Sequence, residues 1–209
     1  MDKHEWRKKE KDYYLPKNRP EVIEIPTFKF LTIEGEGNPN SSFFSNYISV
    51  LYSVSYAIKM GLKKMDSKPK GYCDYTVYPL EGVWDIKEEA RKTFDGTLDK
   101  NDLVFKLMIR QPNFVNRLLF IEMLEITEKK KPNNLLKSVQ FERITDGKSV
   151  QMLHIGNYDD EPESFLKMEK YAEEINLKRL SKTHREIYLS DFRKVAPEKL
   201  KTVLRFKVG

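Results

Sequence analysis

Lys182-Thr183-His184-Arg185-Glu186-Ile187-Tyr188-Leu189-Ser190-Asp191 is the stretch on which the reading of this chain turns. It predicts a strand over 182–190, with a carboxylate set two residues before a tyrosine close to the C-terminus. Alternate residues of a strand share a face, so Glu186 and Tyr188 project one way while Arg185, Ile187 and Leu189 project the other. A carboxylate beside an aromatic ring on a core-facing surface is costly unless something uses the charge. A ligand-facing concave surface would use it.

Working outward, the stretch has an echo upstream. Thr76-Val77-Tyr78 reads like Glu186-Ile187-Tyr188, and Phe30-Leu31-Thr32-Ile33 reads like Met152-Leu153-His154-Ile155. Each of the two latter segments leads through a polar loop into an amphipathic helix, one opening at Phe44 and the other at Phe165. The order strand, helix, strand hairpin therefore occurs twice, which predicts two similar units related by pseudo-symmetry. The expected fold class is α+β, with two βαββ units and a ligand cleft at the seam between them.

Helical spacing of Phe44, Ile48, Leu51, Ser55 and Ile58 predicts a first helix over 43–61, capped by Ser41 or Ser42 and stopped at Gly61. Upstream of it, 1–20 is a charged lead-in broken by Pro16 and Pro20, and 22–37 is a single strand. Downstream come a strand over 72–86 interrupted near Pro79, a charged turn with a short helix over 87–100, and a strand from Leu103 to Arg110. A connector helix then covers roughly 113–128. Strands near 138–145 and 148–156 are joined by Asp146-Gly147, a hairpin signal. A helix over 161–177, with Phe165, Met168, Ala172 and Ile175 on one face, precedes the strands at 182–190 and 200–208. Ala196-Pro197-Glu198 forms a helical turn between those two. The whole, 1–209, reads as one domain: the lead-in 1–20, a first repeat over 22–111, a connector helix and hairpin strand over 112–147, and a second repeat over 148–209.

Composition narrows the class. The 209 residues are 39% hydrophobic and 33% charged, as in globular chains. No apolar run approaches the roughly 20 residues of a membrane helix. The start of the chain is charged, which predicts no signal peptide. The single cysteine, Cys73, excludes an internal disulfide and fits a reducing, cytoplasmic setting. A net charge of +6 admits nucleic acid as a partner. The lysines, however, are scattered over loops such as Lys129-Lys130-Lys131 and alternate with acids in the first twelve residues, which is the pattern of solvated loop charge. No nucleic-acid or membrane partner is expected.

Signatures of other chemistries are missing from the sequence. His4, His154 and His184 have no His or Cys partner at metal-ligand spacing. Cys73 has no catalytic partner in sequence, and His154, in an apolar strand, reads as a satisfied interior histidine. Gly35-Glu36-Gly37 lacks a third glycine and does not open a helix, so it does not cradle a phosphate. No cofactor is expected. What remains is an aromatic pocket holding acid. If the 72–86 strand stays regular past Pro79, Tyr78, Leu80, Gly82 and Trp84 share a face. Tyr78, Trp84, Glu186 and Tyr188 are then the candidate ligand-binding residues, with Glu186 and Tyr188 as the catalytic candidates. Flat rings stack on a planar or cationic ligand, and the carboxylate pairs with a cation or orients a water. The competing reading is that the rings are core aromatics and Glu186 pairs with a lysine.

The chain resembles the GyrI-like small-molecule-binding proteins of the SOUL/GyrI superfamily. The likeness runs in order through Lys11-Asp12-Tyr13-Tyr14-Leu15-Pro16, Ile33-Glu34-Gly35-Glu36-Gly37-Asn38-Pro39-Asn40 and Pro79-Leu80-Glu81-Gly82-Val83-Trp84. It continues through Leu107-Met108-Ile109-Arg110-Gln111-Pro112, Gln151-Met152-Leu153-His154-Ile155-Gly156, the Glu186 strand, and Pro197-Glu198-Lys199-Leu200-Lys201-Thr202-Val203-Leu204-Arg205. One departure is that members often carry two tryptophans where this chain has Trp84-Asp85. The resemblance implies a small-molecule ligand that is planar, lipophilic and in some cases cationic. It also implies, by likeness to the cyclopropanoid cyclopropyl hydrolases, a cofactor-independent detoxifying hydrolase that opens strained three-membered rings with water. In that chemistry Glu186 polarises the water, and Tyr188 or Tyr78 donates to the oxygen that becomes a phenolate as the ring opens. The alternative is a non-catalytic binder that sequesters or senses drugs, or contacts DNA gyrase, though no residue here marks a gyrase-binding surface.

Overall fold

A computed structural model describes residues 3–93 and 98–209. In chain order the elements are α1 (Trp6–Lys9), α2 (Lys11–Tyr14), β1 (Glu21–Ile25), β2 (Phe28–Glu36), α3 (Ser42–Lys64), β3 (Leu80–Ile86) and α4 (Glu88–Lys92). There follow β4 (Leu103–Gln111), α5 (Arg117–Lys130), β5 (Gln140–Ile144), β6 (Gly147–Ile155), α6 (Glu161–Glu174), β7 (His184–Tyr188) and β8 (Lys201–Lys207). The fold is α+β, and the order β-α-β-β appears twice, as β2-α3-β3-β4 and as β6-α6-β7-β8. The expected helical turn before β8 is present as a 3₁₀ turn at Pro197–Lys199.

The chain divides into two compact units that do not follow its order. One comprises Met1–Glu5, Phe28–Tyr78 and Ile86–Ile144; the other comprises Trp6–Thr27, Pro79–Asp85 and Thr145–Gly209. In the first unit, β2 is the central strand of an antiparallel trio. It pairs with β4 from Lys29↔Gln111 to Glu36↔Val104, and with β5 from Phe28↔Ile144 to Thr32↔Gln140. Helix α3 buries Val50, Leu51, Val54, Ile58 and Leu62, a spacing of three and four that puts them on one stripe. Gly61 does not stop this helix. It lies inside it, where a Cβ would collide with the thioether of Met123 on α5, so the glycine allows two helices to approach closely. Ser41 holds the N-cap position of α3 but makes no side-chain capping bond. Helix α5 starts later than its spacing suggests, at Arg117, because Asn116 caps it by accepting from the Leu119 N–H.

In the second unit, five antiparallel strands follow the order β1-β6-β8-β7-β3, through pairs such as Val22↔Val150, Met152↔Leu204, Glu186↔Leu204 and Gly82↔Glu186. One face is covered by α6. Met168 and Ala172 from the helix pack with Val150, Met152, Leu204, Phe206 and Val208, and half-buried Phe165, Tyr171 and Leu177 flank them. Pro162 in its first turn fits a helix start, where the missing N–H has no intrahelical partner to lose.

Four further expectations are corrected. The segment 22–37 is two strands, not one, because Pro26 cannot donate to a ladder and the chain turns there. Asp146-Gly147 is not a hairpin: β5 registers with β2, while β6 registers with β1 and β8, so the dipeptide joins two strands that pair elsewhere. Gly147 does adopt positive φ, at +67°, as the turn signal implied. The strand expected over 72–86 begins only at Leu80, since Pro79 removes the donor that would extend it. The lead-in is not merely a solvated charged segment. Trp6 and Tyr14 are buried with ring centroids 5.2 Å apart. The carbonyls of Asp12 and Tyr13 accept from Gln151 and Arg205, each at 2.7 Å. The short helix expected over 87–100 is α4; the Phe94–Thr97 part of that expectation lies outside the described residues. Among the described residues no helix is long and apolar enough to cross a membrane.

Candidate functional site

The site is built on β7 and β3 of the second unit. The pairs Gly82↔Glu186 and Trp84↔His184 place Glu186 and Trp84 on the same sheet face, because directly opposed residues of an antiparallel pair point the same way. Gly82 has no side chain, so the space opposite Glu186 is not filled from β3. Tyr188 lies two residues beyond Glu186 on that face. Trp84 donates through Nε1 to the Tyr188 hydroxyl at 2.7 Å, and that hydroxyl donates to Glu186 Oε2 at 2.8 Å. Glu186 Oε1 lies 3.1 Å from His184 Nε2. Three of the four residues marked by sequence thus form one continuous hydrogen-bonded chain.

A second acid completes the cluster. Glu161, in the first turn of α6, is buried and hydrogen-bonded to Glu186. Burial, and then the neighbouring Glu186 charge, push the Glu161 carboxyl well above the ordinary carboxylate range. That shift favours the protonated form, in which Glu161 can donate toward Glu186. Tyr158, in the 3₁₀ turn before α6, stands edge-on to Tyr188 with centroids 6.0 Å apart. Its hydroxyl is pushed up to about 12 by burial and by Glu186, Glu161 and Asp191. Burial and the same two glutamates hold Tyr188 well above the ordinary phenol range, so it stays a donor. Phe165 packs edge-on against His184 at 4.7 Å. Nearby His154 is satisfied by Ser164 Oγ at 2.9 Å and the Asn157 carbonyl at 3.0 Å, a structural role.

This arrangement is an anion held by donors within an aromatic surround. A carboxylate offers about four acceptor positions, and His184, Tyr188 and Glu161 face three of them. One position is left for a water or a ligand donor. Aromatic faces beside a carboxylate suit flat cations. Among the described residues no cluster of His, Cys, Asp or Glu has the arrangement of a metal site.

Tyr78 stands apart in assignment. It precedes β3 and belongs to the first unit, where the Arg110 guanidinium lies 4.7 Å over its ring and His4 Nε2 is 3.4 Å from its hydroxyl. The parity that tied it to Trp84 needed a regular strand through Pro79, and the strand starts after it. The echo Thr76-Val77-Tyr78 is likewise displaced, since it is Gly82 and Trp84 of β3 that sit opposite the β7 residues. Glu161, Tyr158 and the His184 contact were not singled out by sequence. Asp159-Asp160-Glu161-Pro162-Glu163 reads as an acidic helix start that the helix dipole explains, and nothing in it marks one acid as buried.

The model of the GyrI-like small molecule binding domain matches residues 19–208. Three solved structures from Listeria innocua resemble the whole chain, each with a TM-score of 0.87. One is a hydrolase, 33% identical, with 99% of this chain and 100% of that one covered. An uncharacterized conserved protein is 34% identical over the same shares. A further hydrolase is 35% identical, with both chains covered in full. No curated protein matches.

Proposed function

The chain belongs to the GyrI-like small-molecule-binding family, and from that premise we propose that it hydrolyses planar, lipophilic aromatic compounds bearing a strained cyclopropane, a detoxification requiring no cofactor. The observation that carries the reading is the chain Trp84–Tyr188–Glu186, with Glu161 behind it. Likeness to the Listeria hydrolases supports an enzyme over a passive binder.

The chemistry balances with the residues available. The aromatic walls, Trp84 foremost, hold the flat substrate by stacking. A water takes the free acceptor position on Glu186 and is aimed at a ring carbon. Its oxygen forms a bond to that carbon while one ring C–C bond breaks. The electron pair of that bond moves through the conjugated system onto the carbonyl oxygen, which becomes a phenolate. Glu186 takes the water's proton as general base. Tyr188 or the protonated Glu161 donates to the phenolate, and the product is the hydrated, ring-opened phenol. A carboxylate need be only a weak general base here, because ring strain supplies the driving force.

Glu186→Gln tests the scheme. The volume is almost unchanged, but the amide cannot accept the water's proton. Product formation should fall ~10²-fold or more while a flat aromatic ligand still binds. Full turnover in this variant would remove Glu186 from the mechanism. Stoichiometric binding with no turnover by the unaltered protein would leave a sequestering binder.

A further inference from the structure

We propose that His184 couples the binding of cations at this site to proton release: a cationic aromatic ligand displaces one proton held between His184 and Glu186, and an uncharged one does not. The proposal rests on the reading of the site as an aromatic pocket around Glu186, and specifies which charges that pocket accepts.

The contacts of the imidazole carry the argument. Nδ1 lies 3.2 Å from the Lys182 carbonyl oxygen, which can only accept. Nε2 lies 3.1 Å from Glu186 Oε1. A neutral imidazole has one N–H and cannot serve two acceptors; an imidazolium can. The geometry therefore fits a proton stored on the His184–Glu186 pair, leaving the pair without net charge. A bound cation supplies Glu186 with a different positive partner, and the stored proton becomes surplus. It has a way out, since the His184 side chain is 22% exposed while that of Glu186 is 11% exposed.

The other charged groups around His184 are accounted for. Glu169 is paired with Arg179 at 2.8 Å and Lys182 at 2.9 Å. Asp85 accepts from Thr183 at 2.5 Å. Tyr158 and Tyr188 remain protonated, held there by burial and by the two glutamates. Glu161 is the competing proton store, because it too sits against Glu186.

N-methylacridinium, a planar cation of fixed charge, and N-methylacridone, an uncharged ring system of similar size, separate the cases. For the cation, the dissociation constant should fall with rising pH, by up to about tenfold per unit between pH 5 and 8, as one-proton linkage requires. Calorimetry in two buffers of different ionisation enthalpy should count close to one proton released per cation. N-methylacridone should bind with flat pH dependence and no proton release. His184→Gln keeps an N–H donor but exchanges no proton, so cation binding should persist with its pH dependence lost. Cation binding by the unaltered protein without proton release overturns the proposal and leaves the aromatic–carboxylate site standing. Undiminished release in His184→Gln assigns the proton to Glu161 and also overturns it. Failure of both ligands to bind overturns the site reading itself, and the proposal with it.

Discussion

The long helix of each repeat lies in a different chemical setting. In the first unit the surroundings of α3 are aromatic and tightly fitted: Phe44 and Tyr47 meet Phe105 edge-on at 5.1 and 5.3 Å, and Gly35 leaves room for the rings. The buried polar groups there include Ser55 and Gln111, neutral and bonded to each other. In the second unit α6 is split along its length. Its later turns bury Met168 and Ala172 in an apolar cluster, while its first turn buries Glu161 beside Glu186, Tyr188 and the His154–Ser164 pair. One copy of the motif is spent on packing. The other uses half its helix as an anchor and half to hold an acid pair that packing alone would never select. Charged groups are retained in a core where they do something, and they must be held by an apolar frame that does not move.

The frame itself can be broken most severely from behind the site. Arg185, on the opposite face of β7, pairs with Glu81 of β3 at 2.6 Å and with Asp146 at 2.8 Å; Arg185 and Glu81 are buried and Asp146 is half-buried. This ion cluster ties together the two strands that carry Trp84 and Glu186. Arg185→Ala leaves the buried Glu81 without its ion-pair partner and Asp146 with only Lys207 at 3.7 Å among the described residues, which should cost about 3–5 kcal/mol in chemical denaturation. Arg185→Met should recover little unless Glu81 and Asp146 are also neutralised, whereas an isolated hydrophobic defect would be rescued by the larger side chain. Equal stability of the alanine variant and the unaltered protein would show that the cluster does not hold the strands.

The first unit should break for a different reason, by crowding. A Cβ at Gly35 would meet the Phe105 ring at 2.6 Å and Tyr47 at 2.8 Å. Alanine normally favours a strand over glycine, but stiff rings cannot yield by that much. Gly35→Ala should therefore destabilise by about 1–3 kcal/mol. Gly35→Ala with Phe105→Leu should return most of the loss, and a double-mutant cycle of urea midpoints would show the coupling. Additive effects would place the strain elsewhere.

The same contrast explains what was legible beforehand. The repeat order, α+β class and family likeness could be read because they reside in periodicities of 2 and 3.6 and in long ordered segments. That Glu186, Tyr188 and Trp84 share a sheet face could be read through strand parity, a local rule. Parity failed at Tyr78 because Pro79 ends the regular strand, and at Asp146-Gly147 a sound turn signal joined strands that pair elsewhere. Trp6 and Tyr14 were hidden by the lysines around them. Glu161 was invisible for the most general reason: an acid in the first turn of a helix is ordinarily a surface residue favoured by the dipole, and only the tertiary fold brings Glu186 against it.

The smallest effect sharpens the comparison most directly, because it asks whether the acid pair costs the second unit stability. Glu161 is raised well above the ordinary range by burial and by Glu186, so the folded protein keeps a proton that the unfolded chain gives up near pH 4.5. Below that pH both states hold it and no penalty applies. As pH rises past it, the unfolded state binds fewer protons than the folded one, and stability declines until the folded carboxyl itself ionises. Glu161→Gln cannot ionise in either state and still offers an N–H donor to Glu186. Its melting temperature should therefore match that of the unaltered protein near pH 4 and exceed it at pH 7, with the gap opening progressively between. Parallel melting curves over this range would mean that Glu161 is ionised in the folded protein. Two adjacent buried carboxylates would then both be charged, and the donor role of Glu161 in ring opening would pass to Tyr188.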